Sequence, residues 1–434
     1  MSPLTLGSLG FAAVIVLLLV RVPIGVTLGG VAVVGIWLLV GAKGALGIVA
    51  AIPYEFAAHW SLSSIPMFLL MGYACYHAQL TEGLFRAARV WLGGLPGGLG
   101  VASIWGAAMF SAVTGSSVAC AAAMGRIAVP EMLKYKYSGP LAAGVVAAAG
   151  TMGSLIPPSV IFLIYGIFAE VPISKLFIAG VLPGLLSAVN YSLMTIAIVA
   201  AKPHLAPRAP AARFSEKLAV AWETWPVLAV AFGVFGGLFG GVFTPTEAGA
   251  VGALLAFLVA AAKRTLSWRG TLEATRETLS ATASIFIIAV GAALLTRFLA
   301  LTGLPEEMAA AAAMFQDNQL VLVIGVSLLY LVLGCFLDPI GIMLLTLPVL
   351  LPVFEAVKID LIWMGVILTK YLEIGLLTPP VGLNVFVLKT VVGDRMPLEA
   401  IFRGVTLFIL TDLVTVSLLI AFPSISLYLP SLLE

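Results

Sequence analysis

Two adjacent prolines inside an apolar span constrain this chain more than any other feature. They lie in Glu373-Ile374-Gly375-Leu376-Leu377-Thr378-Pro379-Pro380-Val381-Gly382-Leu383-Asn384, within an apolar stretch from about Leu361 to Val391 that is long enough to cross a bilayer. Each proline lacks a backbone donor and collides with the turn before it, so a helix must break there. A break at membrane depth leaves amides and carbonyls that lipid cannot satisfy. It is tolerated where protein, water or a bound ion supplies the missing partners.

The same break occurs earlier. Gly153-Ser154-Leu155-Ile156-Pro157-Pro158-Ser159-Val160 matches Gly375–Gly382 at Gly, Leu, Pro and Pro, an offset of 375 − 153 = 222. The offset recurs at Pro23 and Pro245, Gly30 and Gly252, and Pro130 and Pro352. Apolar identities would be cheap in a chain that is 62% hydrophobic and 10% charged, but matched Pro and Gly are not. The pattern predicts a duplicated membrane protein with one broken helix per half, the sequence pointer to a transporter binding site.

Apolar runs of about 18 residues or more recur, so the chain is expected to be an all-α polytopic membrane protein embedded in lipid. The first half, residues 1–210, reads as spans near Leu4–Val20, Ile24–Val40 and Ser64–Leu80, then a hairpin, a broken helix over about 138–168, and a span at Ile173–Ala201. Residues 98–133 are too long and too interrupted for one span. Their small, polar centre, Val113-Thr114-Gly115-Ser116-Ser117-Val118, predicts a re-entrant helical hairpin. The second half, residues 211–434, repeats the order: spans near Trp222–Phe239, Glu247–Ala262 and Leu279–Leu301, a hairpin over about 319–354, a broken helix over about 361–391 and a last span near Leu398–Phe422. Five crossings per half place the second half upside down relative to the first. With the N-terminus outside, Arg86, Arg89, Lys134, Lys136, Lys263, Arg264, Arg395 and Arg403 are among the basic residues facing the cytoplasm, while only Lys43, Lys175 and Lys358 face out, beside Glu306, Glu307, Asp317 and Asp360. That is the expected positive-inside bias. Met1 to Val20 has no basic start or small-residue cleavage site and reads as a first span, not a signal peptide.

Other chemistries lack their residues. There is no Walker A sequence for ATP hydrolysis. Cys75, Cys120 and Cys335 have no paired spacing, and His59, His77 and His204 form no metal-spaced set. A net charge of +2 gives no reason to expect nucleic acid, no cofactor motif is present, and no enzyme is expected.

The polar residues at the breaks remain. Thr114, Gly115, Ser116 and Ser117, beside the break at Ser154 and Pro157, offer hydroxyls and helix-end carbonyls without fixed charge, which suit Na⁺. Half-helix N-termini nearby suit a carboxylate. The plainer alternative is that these small residues only let helices pack closely. In the second half, Asp338 either ligates an ion or caps the helix that follows, and Thr346 and Thr378–Asn384 stand near it in the pattern. Lys370 and Glu373, three apart on one helix, neutralise each other or mark a pathway. Arg126 either snorkels to the interface or attracts an anionic substrate. Arg297 and Asp412 have no evident partner.

These residues together resemble the large membrane subunit of a tripartite ATP-independent periplasmic (TRAP) transporter. The resemblance is carried by Thr114–Ala119, the run to Pro130-Glu131-Met132, Gly153–Pro158, Thr244-Pro245-Thr246-Glu247, Phe336-Leu337-Asp338-Pro339, Leu347-Pro348 and Gly375–Asn384. It implies an inverted-repeat, elevator-type transporter with two re-entrant hairpins and two broken helices. The implied activity is Na⁺-coupled uptake of an organic acid, such as a C4-dicarboxylate, across the bacterial inner membrane. A periplasmic substrate-binding protein would deliver the acid, and a small four-span membrane subunit, here expected on a separate chain, would assist. One sodium site maps to Thr114, Gly115, Ser116 and Ser117 with Ser154 and Pro157. The other maps to Asp338 and Gly341 with Thr378, Pro379, Gly382 and Asn384. Ser116, Arg126, Ser159, Thr346 and Asn384 are the substrate candidates. The alternatives are a standalone Na⁺–carboxylate symporter and a non-transporting membrane scaffold subunit.

Overall fold

Prolines and short polar caps set where the helices begin. Pro3, Pro245 and Pro339 occupy first turns, where a missing N–H costs nothing, behind caps Ser2, Thr244 and Asp338. The computed structural model describes residues 1–207 and 213–432. The expected boundary between the halves at residues 210 and 211 lies outside them.

The first half comprises α1 (Pro3–Leu19), α2 (Ile24–Ala57), α3 (Ser64–His77), α4 (Glu82–Leu92), α5 (Gly98–Thr114), α6 (Ser117–Lys134), α7 (Gly139–Thr151), α8 (Val160–Phe168) and α9 (Ile173–Ala201). The second comprises α10 (Phe214–Ala221), α11 (Trp225–Phe239), α12 (Pro245–Ala262), α13 (Trp268–Thr302), α14 (Leu304–Ala313), α15 (Gln319–Gly334), α16 (Pro339–Ala356), α17 (Leu361–Gly375), α18 (Leu383–Val392), α19 (Leu398–Ala421) and α20 (Ser424–Ser431). The architecture is all-helical among the described residues, with seven helices long and apolar enough to span a membrane. The hairpin arms and broken helices fall mostly below that length. The 222-residue offset reappears in the structure: α6 and α16 both have 18 residues and begin at 117 and 339, and α7 and α17 begin at 139 and 361.

Two helices outrun their expected spans. α2 continues to Ala57 past a break at Gly41, where φ 75° and ψ 171° demand glycine. α13 starts at Trp268, well before the expected Leu279, because its first turns are polar and hydropathy sees only the apolar remainder. An Arg269–Glu273 pair at 3.0 Å, four residues apart, supports the extension.

α2 lies along α13, and α3 packs on α12 and α13. Against this frame α5, α6 and α7 pack together with α9, α18 and α19, burying an Ala-rich core that includes Ala142, Ala143 and Ala147–Ala149. Small residues let backbones approach closely, as membrane helix packing requires. The amphipathic α4 is tied to the returning arm of the first hairpin by an Arg89–Glu131 ion pair.

Candidate functional site

α5 ends where Gly115 turns into the left-handed region (φ 62°), and Ser116, in extended conformation, caps α6. This two-residue tip sits on the first break. The Val160 amide donates to Gly115 O at 3.3 Å, and the Ser117 hydroxyl donates to Thr151 O at 2.8 Å and lies 2.5 Å from Ser154 Oγ. The approach is close because the facing position is glycine. A Cβ on Gly153 would stand 2.6 Å from the Ser116 carbonyl carbon and 2.7 Å from Ser117 N. Beyond the Ser154 turn the Pro157-Pro158 bond is cis, and Ser159 caps α8, its hydroxyl donating to Ser154 O.

The second half builds the same joint with different side chains. Gly334, the last residue of α15, faces Gly375, where a Cβ would meet Gly334 Cα at 2.7 Å. The Val381 amide reaches across to Cys335 O at 3.3 Å, and Pro379-Pro380 is again cis. Asp338 occupies the cap position of Ser116 and accepts from the Gly341 amide at 3.0 Å. Thr378 returns its hydroxyl to Ile374 O at 2.7 Å, and Gly382 (φ 57°) starts α18. Asn384 is fully buried, donates to Ala147 O at 3.3 Å and leaves its Oδ1 without a partner.

The two joints meet. A cavity of about 380 Å³ is lined by Gly115, Ser116, Ser117 and Ser154 from the first joint and Asp338, Leu376 and Leu383 from the second. Leu69 and Tyr73 of α3 and Ser284, Ile285 and Ile288 of α13 close it. The N-termini of α6 and α16 both abut it, presenting the partial positive charge of two helix ends, which suits an anion. A second cavity of about 290 Å³ shares Leu69, Tyr73, Ser116 and Val118 with the first and extends to Arg126 and Glu277. Arg126 donates to the Tyr76 hydroxyl at 2.6 Å and stands over its ring at 5.9 Å.

The expected residues therefore divide. Gly115, Ser116, Ser117, Ser154 and Asp338 line the main cavity, while Thr114 and Arg126 line its extension. Pro157 is buried, Pro379 exposed and Gly341 held in the first turn of α16; they shape the joints. Ser159 caps α8, its hydroxyl donating to Ser154 O and accepting from the Phe162 amide. Thr346 bonds the Tyr330 hydroxyl at 2.7 Å and Ile342 O at 2.9 Å, pinning the two arms of the second hairpin together away from the cavity.

Asp412 gains the partner that sequence could not assign. Its Oδ1 lies 2.6 Å from Lys370 Nζ and accepts from the Tyr191 hydroxyl at 2.5 Å. Lys370 also reaches Glu373 at 3.0 Å and Ser187 at 3.2 Å, and all three charged side chains are fully buried. Tyr73, Tyr76 and Glu277 were also missed as cavity residues. Their spacing in α3 and α13 carries no motif, and only tertiary packing brings them in.

The sequence profile of the tripartite ATP-independent periplasmic transporter DctM component matches residues 11–425. The sialic acid TRAP transporter large permease SiaM of Vibrio cholerae is 34% identical over 86% of this chain and 87% of its own length. The C4-dicarboxylate TRAP transporter large permease DctM of Pseudomonas aeruginosa is 34% identical over 87% of this chain and 88% of its own. Among solved structures the YdaH transporter of Alcanivorax borkumensis has the same fold, with a TM-score of 0.61 at 14% identity over 94% of this chain and 96% of that one. Matched across nearly its whole length, the chain belongs to the DctM family, the large permease subunits of TRAP transporters in the bacterial inner membrane.

Proposed function

We propose that this subunit takes up an organic acid by Na⁺ symport, receiving it from a periplasmic binding protein and working with a small four-span membrane subunit. The observation that carries the reading is the convergence of both hairpin tips and both breaks on one cavity. Two helix N-termini there favour an anion. Asp338 on the same wall would repel that anion, and a bound cation relieves the conflict. Ser117 and Ser154, 2.5 Å apart, supply uncharged oxygens for a cation on the first joint. Asp338, Thr378 and the unpartnered Asn384 Oδ1 supply oxygens around the second. Ser116 and Arg126 are the substrate contacts this reading favours, Arg126 at the end that positive-inside charge assigns to the cytoplasm.

The motion is that of an elevator, in which α5–α9 and α15–α19 move against the frame of α2, α3, α12 and α13, and the two halves are inverted repeats. Each uncompensated positive charge carried inward gains about 2.3 kcal/mol per 100 mV of membrane potential. Two sodium ions with a monoanion gain one such increment. Relatives named for sialic acid and for C4-dicarboxylate support an organic acid as the substrate class. A C4-dicarboxylate is the first to try.

The test is uptake of labelled organic acids into proteoliposomes holding this chain, its small partner and the binding protein, with and without an inward Na⁺ gradient. Uptake requiring both Na⁺ and the binding protein is expected. Uptake without the binding protein would turn the reading into a standalone symporter, and Na⁺-independent uptake would remove the ion sites.

A further inference from the structure

We propose that the Lys370–Glu373–Asp412 cluster is a proton-binding site that holds one proton on Glu373, while Lys370 and Asp412 stay ionised. The cluster lies outside the substrate cavity, joining α17 to α9 and α19. It contains two carboxyl groups and one ammonium, all with no solvent exposure. With both acids ionised it carries a net charge of −1 in a region where neither water nor lipid compensates it. One carboxylate oxygen on each acid, Glu373 Oε1 and Asp412 Oδ2, has no hydrogen-bond partner. A single proton from solution, forming an O–H bond on one carboxylate, brings the balance to zero. Leaving the charge uncompensated is the far costlier state.

Geometry assigns the proton. Asp412 Oδ1 receives both the Lys370 ammonium at 2.6 Å and the Tyr191 hydroxyl at 2.5 Å, two donors that hold an anion. Glu373 receives only Lys370, at 3.0 Å. The less solvated carboxylate takes the proton.

Among the described residues no other charge reaches the cluster. α9 contributes Ser187 and Tyr191, whose hydroxyl lies 3.2 Å from that of Thr151 at the end of α7. α8, α15 and α20, which also pack on α17, carry no charged residue, and Glu355 of α16 is exposed. Lys175 on α9 and Glu399 and Arg403 on α19 sit roughly 13 Å or more along their helices from Tyr191 and Asp412, at 1.5 Å per residue.

The duplication adds an independent argument. At the same 222-residue offset, Lys370, Glu373 and Asp412 correspond to Ala148, Thr151 and Asn190 in the first half. There Asn190 bonds Thr415 at 2.9 Å and no charge is buried. The joint closes without ions in one half, so the ionic cluster in the other is not a requirement of the fold.

Infrared spectroscopy of the purified full chain in lipid nanodiscs at neutral pH tests this. The C=O stretch of a buried protonated carboxyl is expected in the unmodified protein and lost in Glu373→Gln. Thermal unfolding of the same samples should place Glu373→Gln, which mimics the neutral acid, close to the unmodified protein and Asp412→Asn well below it. A missing band, a band that persists in Glu373→Gln, or a Glu373→Gln chain that unfolds earlier than Asp412→Asn would overturn the proposal. None of these readouts needs Na⁺ or a transported acid, so they are independent of the uptake experiment.

Discussion

Gly153→Ala should separate the first hairpin tip from the broken helix it sits on. The added Cβ would meet the Ser116 carbonyl carbon at 2.6 Å, its oxygen at 2.7 Å and Ser117 N at 2.7 Å, all backbone atoms that no rotamer change can move. The tip must retreat until the closest of these contacts reaches at least 3.4 Å, where ordinary van der Waals contact begins. Overpacking of this kind costs about 1–3 kcal/mol. The retreat also pulls apart the Ser117 and Ser154 hydroxyls, now 2.5 Å from each other. If both oxygens hold the coupling ion, losing one good ligand contact, at about 1.4 kcal/mol per tenfold, raises the Na⁺ concentration for half-maximal uptake roughly tenfold. The assay is a Na⁺ titration of uptake in proteoliposomes, with thermal unfolding measured in parallel. Gly325→Ala in α15 is the control, because a Cβ there meets nothing within 4 Å and should leave the titration where it was. A Gly153→Ala protein with the unmodified Na⁺ titration and melting temperature would refute both the packing and the ion-site reasoning.

Four further outcomes are expected. Ser117→Ala removes the contact to Ser154 and the bond to Thr151 O, so it should raise the Na⁺ requirement about tenfold while costing only about 1 kcal/mol of stability. Thr378→Ala, whose hydroxyl is returned to its own helix, should shift the Na⁺ titration more than the melting temperature. Lys370→Met leaves the buried Asp412 carboxylate without its cation and should cost about 3–5 kcal/mol, read as a large fall in melting temperature or as loss of folded protein on size exclusion. Arg126→Gln loses a bond to the Tyr76 hydroxyl and a cation–π contact with its ring, both from an exposed side chain, so melting should hold while uptake of the anion slows.

What sequence made legible followed from backbone chemistry. Pro157-Pro158 and Pro379-Pro380 cannot lie inside helices, and the structure ends α7 and α17 shortly before them. The hairpin tip at Gly115–Ser116 was equally readable, since Gly and Ser between two apolar arms stop one helix and cap the next. Side-chain destinations were not readable in the same way. Ser159 and Thr346 have the right chemistry for a substrate, but no local pattern shows that their hydroxyls bond Ser154 O and the Tyr330 hydroxyl. Asp412 lies 39 residues beyond Glu373, and only the packing of α19 on α17 makes the two acids share one lysine. Polar extensions such as the start of α13 escape a reading based on apolar length, because i,i+4 ion pairs continue a helix that hydropathy has already ended.

The duplicated joints are alike in backbone and unlike in charge, and that difference bears on mechanism. Ser116 and Asp338 hold equivalent cap positions on the cavity wall, yet one is neutral and the other acidic. Deeper in the second half, the Thr151 position becomes Glu373 and the Asn190 position becomes Asp412, with only Lys370 added in return. With the proton on Glu373 that cluster is neutral, so the charge difference between the two joints rests on Asp338. A cation should bind the acidic joint through charge and the neutral one through hydroxyl and carbonyl geometry alone. Screening weakens the first kind of binding far more than the second. Raising ionic strength with a large, non-transported cation should therefore weaken one class of Na⁺ site and spare the other, splitting a single Na⁺ titration into two. A titration that shifts as one curve would mean that the charge asymmetry has no part in ion binding.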